Sequence, residues 1–259
     1  FLVETLRAAG SEVGDGLQKP DVTFVHRWLP FEPGVTYMSR LAPTWLNRSP
    51  PRVRTPMDRT DIRRAWDEVA ETYARRRDPT GSDADLLAVL RDDLGPDPTV
   101  LDVGCGDGAR TLANLPDGSI GVDISRRGLE LAADTVPDAR LLQGEMRSLP
   151  LRDGAVDAIT AYHAVFHVPR TDHPAVYREF TRVLRPGGRL LMTLPSGRFE
   201  TVRNGWMGGR MLFSAPGRDE TLAQLRTAGF VDVRTETVSD PLGSAAEFVF
   251  ATLGGSESE

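Results

Sequence analysis

From about residue 57 onward, short apolar runs alternate with stretches in which apolar residues recur every three or four positions. The runs near 99–103, 118–122, 139–143, 155–160, 188–194, 230–237 and 246–252 predict strands. Ile62, Trp66, Val69, Ala70 and Tyr73 share one side of a predicted helix, and Ala84 to Leu94 predicts a second, ended by Gly95-Pro96. A third follows Asp172, which can cap it: Pro174 suits its first turn, and Val176, Phe180, Val183 and Leu184 fall on one face. Arg185-Pro186-Gly187-Gly188 stops it. Strands alternating with helices predict a doubly wound α/β fold, a mostly parallel sheet with helices on both faces. The short loop at Asp240-Pro241-Leu242-Gly243 suits a hairpin between the last two strands, which makes the final strand antiparallel.

Residues 1–56 differ. They hold seven of the nineteen prolines and no periodicity beyond Leu2 to Ala9, and Pro50-Pro51 with Pro56 reads as a linker. This stretch is expected to be a dispensable extension. The alternative is a lid or an oligomer contact, because Trp28, Phe31, Tyr37, Leu41, Trp45 and Leu46 are apolar for a solvated tail. A folded domain is expected over 57–254, followed by a disordered tail over 255–259.

The most informative chemistry lies between Val100 and Asp123. A buried strand runs into Gly104-Cys105-Gly106-Asp107-Gly108, where glycines let the backbone turn closely against a ligand. A helix is expected to begin at Arg110 to Leu112, with its first amides facing that ligand. Asp123 closes the next strand, about 20 residues beyond Asp102, the offset at which a carboxylate meets ribose hydroxyls in nucleotide-binding folds. Gly104-x-Gly106-x-x-Ala109 also satisfies a relaxed nicotinamide fingerprint, so the glycines alone leave a redox cofactor and another adenosine ligand open.

Leu101-Asp102-Val103-Gly104-Cys105-Gly106-Asp107-Gly108 resembles the first motif of class I S-adenosylmethionine-dependent methyltransferases, with an acid two residues before the first glycine. Gly121-Val122-Asp123-Ile124-Ser125, Gln143-Gly144-Glu145-Met146 with Leu149-Pro150, Val156-Asp157-Ala158-Ile159 and Arg182 to Gly188 resemble the later motifs, in order. The resemblance spans about residues 57 to 254. It is to the broad methyltransferase-domain group that includes quinone-biosynthesis and tRNA wobble-uridine enzymes, and it implies a Rossmann-like seven-stranded sheet and S-adenosylmethionine as cofactor.

Carried onto this sequence, the resemblance implies that Gly104 and Gly106 approach the methionine portion while Asp102 orients the loop or meets the ammonium group. Asp123 would accept from the ribose hydroxyls beside Ile124, and Glu145, in place of the usual aspartate, would stand near the adenine amino group with Met146 on the ring face. Tyr162 would lie by the sulfonium, and Tyr73 with Arg77, on the preceding helix, would fold over the cofactor, Arg77 pairing with its carboxylate. Methyl transfer from a sulfonium mainly requires alignment, and a hydroxyl or carbon acceptor also needs a base. His163 and His167, leaving the fourth strand, are the candidates. Their i, i+4 spacing with His173 nearby could suggest a metal, but no carboxylate follows with supporting spacing, so none is expected. Trp206 to Phe213, with Gly208-Gly209, breaks the strand–helix rhythm and is expected to be a glycine-hinged lid that selects the acceptor.

A net charge of −6 gives no general basic field for nucleic acid, so a small-molecule acceptor is expected. The alternatives are a tRNA or other macromolecular acceptor recognised with a partner subunit, and a non-catalytic S-adenosylmethionine-binding module. Cys105 is the only cysteine, which excludes an intrachain disulfide and fits a small buried filler. No run of about 18 apolar residues occurs and the first residues lack a signal-peptide pattern, so a cytoplasmic location is expected.

Overall fold

The computed structural model describes residues 57–239 and 245–255. The expectations for residues 1–56, for the loop at 240–244 and for 256–259 lie outside the described residues. In chain order the strands are β1 (Val100–Val103), β2 (Ile120–Asp123), β3 (Arg140–Gln143), β4 (Val156–Ala161), β5 (Leu184–Leu194), β6 (Arg198–Trp206), β7 (Gly209–Pro216), β8 (Phe230–Ser239) and β9 (Ala245–Leu253). The helices are α1 (Arg59–Arg76), α2 (Asp85–Asp92), α3 (Arg126–Thr135), α4 (His173–Val183) and α5 (Arg218–Thr227).

Seven strands form one sheet in the order β3-β2-β1-β4-β5-β9-β8. β1 to β5 pair in parallel, and β9 runs antiparallel to both β5 and β8. The reversed strand expected at the end of the chain is therefore present, one place in from the sheet edge. β1 and β2 are buried along their whole length because helices cover both faces. On one face Leu101, Val103, Ile159 and Leu190 meet Val176, Tyr177, Phe180 and Val183 of α4 and Leu222 and Leu225 of α5. On the other, Val100, Ala158 and Leu191 meet Leu86, Leu87 and Leu90 of α2. Strand order reverses at β1, with β2 on one side and β4 on the other, and this places the ligand crevice at the carboxyl ends of these strands. Among the described residues no helix is long and apolar enough to cross a membrane.

Three local expectations are corrected. No α-helix begins at Arg110 to Leu112; the chain makes only a 3-10 turn at Leu112–Asn114. Gly104, Gly106 and Gly108 all adopt positive φ, the Thr111 hydroxyl is committed to Asp102, and Pro116 follows within two residues of the turn, so no room is left for a helix. Asp172 is the N-cap residue of α4 but its side chain makes no capping bond; it pairs with Arg147 instead, and Leu184 opens β5 rather than extending the helical face.

The third correction concerns the expected lid. It is an antiparallel ribbon of β6 and β7, turned at Met207-Gly208, and it packs on α1. Met57, Ile62, Ala65 and Val69 join Met211, Leu212 and Phe213 in a third apolar core, flanked by Trp66, Phe166, Phe199, Val202 and Trp206. α1 is itself fixed at its start by a reciprocal capping box, in which Asp61 N–H donates to Asp58 at 2.8 Å and Asp58 N–H to Asp61 at 3.3 Å. Gly209 brings the ribbon close against the helix: a Cβ there would stand 2.6 Å from Val69 Cγ1. Gly209→Ala is expected to lower stability by about 1 to 3 kcal/mol through overpacking. Val69→Ala, which makes space, is expected to recover part of that loss in a double-mutant cycle followed by thermal unfolding.

Candidate functional site

A cleft opens at the carboxyl ends of β1, β2 and β4. Its floor is the glycine turn and Asp123; its roof is α1, through Trp66 and Tyr73; Tyr162, His163 and His167 form a wall. α1 is held in this position by its acids. Asp67 accepts from the Ser125 hydroxyl at 2.8 Å and from Arg127 N–H at 3.1 Å, so it closes the N-terminus of α3, and Glu71 pairs with Arg127 at 2.7 Å.

The glycine turn needs its glycines for two reasons. Gly104 has φ +76°, and a Cβ there would lie 2.5 Å from the Ala164 Cβ; Gly106 has φ +55°. Asp123 fastens this turn: Gly106 N–H donates to Oδ2 at 2.8 Å and Ser125 N–H to Oδ1 at 2.7 Å. Burial raises its carboxyl to about 6, the two amide bonds opposing that shift. Asp102 is not on the cleft lining. It is 1% exposed, with Thr160 donating to Oδ1 at 2.8 Å and the Thr111 hydroxyl to Oδ2, and burial likewise lifts it to about 6. Of its two expected roles, the geometry fits orienting the loop.

Tyr73 and Arg77 lie together on the cleft. Arg77 Nη1 donates to the Tyr73 hydroxyl, while Nη2 is buried without a partner. A buried guanidinium nitrogen with nothing to donate to, beside a glycine turn, is what a ligand carboxylate would satisfy. Ile124 lines this cleft and also a second hollow, bounded by Met57, Ile62, Glu145, Arg147 and Pro169. Glu145 is therefore brought to the adjoining hollow rather than to the glycine turn, with its carboxylate held by Arg147 and by Arg59 at 3.6 Å. Met146 is half-buried against the α4 side of the core.

The two histidines are unlike one another. His167 Nδ1 lies 2.8 Å from the Leu212 carbonyl; a carbonyl only accepts, so Nδ1 carries the proton. Its ring is packed by Trp66 and Phe213 at 4.8 and 4.9 Å, and burial lowers its pKa to about 4. It anchors the ribbon as a neutral ring. His163 adopts φ +53°, a strained conformation for a side chain of this size, with its N–H on the Thr193 hydroxyl at 2.9 Å. Its Nε2 faces Asp83 Oδ2 at 3.5 Å. His173, the remaining histidine of this stretch, is buried at the start of α4 with Nε2 on the Val168 carbonyl.

Sequence reasoning missed Asp83 and Arg110. Asp83 sits in a 3-10 turn at Ser82–Ala84, is 5% exposed, and accepts from Arg110 Nε at 2.6 Å; its own carbonyl accepts from the Tyr162 hydroxyl at 3.0 Å. Arg110 also lines the cleft. No local pattern announces a pair 27 residues apart.

A methyltransferase-domain family profile matches residues 101–192. The chain is 32% identical over 165 residues to the demethylmenaquinone methyltransferase of Beutenbergia cavernae, an alignment covering 59% of this chain and 67% of that one. It is 32% identical over 155 residues to the 27-O-demethylrifamycin SV methyltransferase of Amycolatopsis mediterranei, covering 54% and 56%. The chain spans 32%, 35% and 56% of the lengths of the first three curated relatives it matches. In fold it is similar to the 1,6-didemethyltoxoflavin-N1-methyltransferase of Burkholderia thailandensis, solved with S-adenosylhomocysteine, at a TM-score of 0.57 and 18% identity over 76% of this chain and 87% of that one. With the ordered strands, the glycine turn and Asp123 closing β2, these matches place the chain in the class I S-adenosylmethionine-dependent methyltransferases.

Proposed function

We propose that residues 57–254 transfer a methyl group from S-adenosylmethionine to the hydroxyl of a small, largely apolar molecule. The observation that carries this reading is the unpartnered Arg77 Nη2, buried in the same cleft as Gly104, Gly106 and Asp123, with two imidazoles on the wall beyond. When bound, the cofactor supplies an electrophilic methyl on a sulfonium. The chain's own work is then threefold. Arg77 pairs with the carboxylate, and the glycine turn admits the amino-acid end. Asp123 accepts from the ribose hydroxyls with the lone pairs that Gly106 and Ser125 leave free, and Ile124 leads to the base-binding end at Glu145. Trp66 and Tyr73 exclude water, and His163 takes the acceptor proton.

A small acceptor is supported by the aromatic roof of the cleft and by the small molecules in the names of the two relatives above. Between the two imidazoles, His163 is the better base: it has a carboxylate beside it, whereas His167 has only the Leu212 carbonyl.

Arg77→Ala tests the placement of the cofactor. Loss of a charge-assisted pair is expected to weaken S-adenosylhomocysteine binding about tenfold to a hundredfold. Binding of 5′-methylthioadenosine, which has no carboxylate, is expected to change less than about threefold. Calorimetry with both ligands, and with NAD as a control, checks this. Equal losses for both ligands, or preference for NAD, would overturn the reading.

A further inference from the structure

Asp83 is tied to the cleft wall through both carboxylate oxygens and through its carbonyl. It is nearly inaccessible, and its two oxygens are divided: Oδ1 takes Arg110 Nε at 2.6 Å and Nη2 at 2.5 Å, while Oδ2 is left to His163. Arg110 reaches it from the glycine turn and is braced a second time on the Asp78 carbonyl. The Tyr162 hydroxyl closes on the Asp83 carbonyl, so the residue preceding His163 is tied to the same turn. His163 itself is held at positive φ by Thr193, which points to a backbone fixed for the placement of its ring.

We propose that Asp83 is the positioning residue of His163: it holds the proton on Nε2, so that Nδ1 is the nitrogen that receives the acceptor proton, and Arg110 holds Asp83 in place for that task. The inference rests on the reading of His163 as the base. In the step it serves, the acceptor oxygen gives its proton to His163 Nδ1 as it bonds to the methyl carbon, and the electron pair of the broken carbon–sulfur bond stays on sulfur. Asp83 receives no proton and stabilises the imidazolium that forms.

The electrostatics agree. Burial opposes ionisation of Asp83, yet His163 and Arg110 together hold its carboxyl below the usual aspartate range, so at neutral pH it only accepts. Burial pulls His163 down, with Arg77 and Arg110 adding to that and Asp83 opposing them; His167, on the same wall, is neutral. The imidazole is thus uncharged and ready to accept, with one carboxylate to favour its charged form.

The test needs no acceptor. In the full chain with histidine labelled by nitrogen-15, wild-type His163 is expected to show the Nε2–H form, assigned against His163→Gln. In Asp83→Asn the His163 signals are expected to shift toward the Nδ1–H form or a mixture, and its apparent pKa to fall by about 1 or more. His173, away from the cleft, is expected to stay as it was. Because Asp83→Asn also loosens Arg110, Arg110→Gln serves as the second variant: it disturbs the same turn while leaving the carboxylate, and is expected to keep the Nε2–H form. Unchanged His163 tautomer and pKa in folded Asp83→Asn, or an equal change in Arg110→Gln, would overturn the proposal. Methyl transfer by His163→Gln at the wild-type rate, once an acceptor is in hand, would instead remove the reading of His163 as the base, whatever the tautomer shows.

Discussion

Asp123→Ala is expected to weaken S-adenosylmethionine binding by at least about a hundredfold and to lower stability by about 2 to 6 kcal/mol, because the carboxylate has two jobs at once. In the protein alone it joins the glycine turn to the start of α3 through Gly106 N–H at 2.8 Å and Ser125 N–H at 2.7 Å. Alanine leaves these amides without partners in a setting where the parent side chain is only 8% exposed. Each such loss is worth about 1 to 3 kcal/mol. The binding effect adds to this, since the same oxygens are the proposed acceptors for two ribose hydroxyls. Asp123→Asn is no neutral control: its amide offers one acceptor oxygen where two backbone donors converge, so one N–H would face an NH2 group. Calorimetry well below the melting temperature separates binding from folding. An affinity within about threefold of wild type would remove Asp123 from the ribose site.

The second large effect concerns pH. Burial raises both Asp102 and Asp123 from the ordinary aspartate range to about 6, so the folded protein holds two protons more tightly than the unfolded chain does. The stability that each protonated form contributes is fully present below about pH 4 and is lost as pH rises through 6. With a pKa difference of 1 worth about 1.4 kcal/mol, each group accounts for roughly 3 kcal/mol between those limits. Asp102→Asn abolishes one of the two titrations. Its amide can serve both threonine hydroxyls, accepting from one and donating to the other, since a hydroxyl does either. Relative to wild type, the variant is therefore expected to gain about 3 kcal/mol between pH 4 and pH 8, or about 6 to 12 °C in relative melting temperature for a domain of this size. Identical pH dependence in the two proteins would show that Asp102 does not titrate in this window.

How much of this was legible in the sequence follows from how each element is stabilised. β1, β2 and β4 are buried almost throughout, so a short, mostly apolar run announced each of them even with Asp102, Asp123 and Asp157 in it. α1 showed itself because one face meets a core and the other meets water. The β6–β7 ribbon did not, for the opposite reason. β7 is buried almost throughout, β6 is mostly exposed, and a register shift between Asn204 and Trp206 breaks any alternation. The Gly205 to Gly208 stretch, with three positive-φ residues, was the available turn signal.

At the site, Gly104, Gly106, Asp123, Tyr162, His163 and His167 meet at one cleft because motif order fixes which strand end each leaves, and Tyr73 and Arg77 join them from α1. Asp102 lies just beneath it, and Glu145 and Met146 lie to one side. Asp83 and Arg110 were hidden since their pairing is made by tertiary approach. Arg110 passes over Gly81, where a side chain would collide with its guanidinium.

The apolar cluster shared by α1 and the ribbon includes no residue of the seven-stranded sheet. The ribbon is thus stabilised against α1, in a body of side chains separate from the core of the sheet. Sequence drift in Met211 or Phe213 can alter how the ribbon seats on α1 while leaving strand pairing in the sheet intact. In such a layout α1, which also carries Trp66 and Tyr73 and ends at Arg77, is an element through which a change in the ribbon is passed to the cleft.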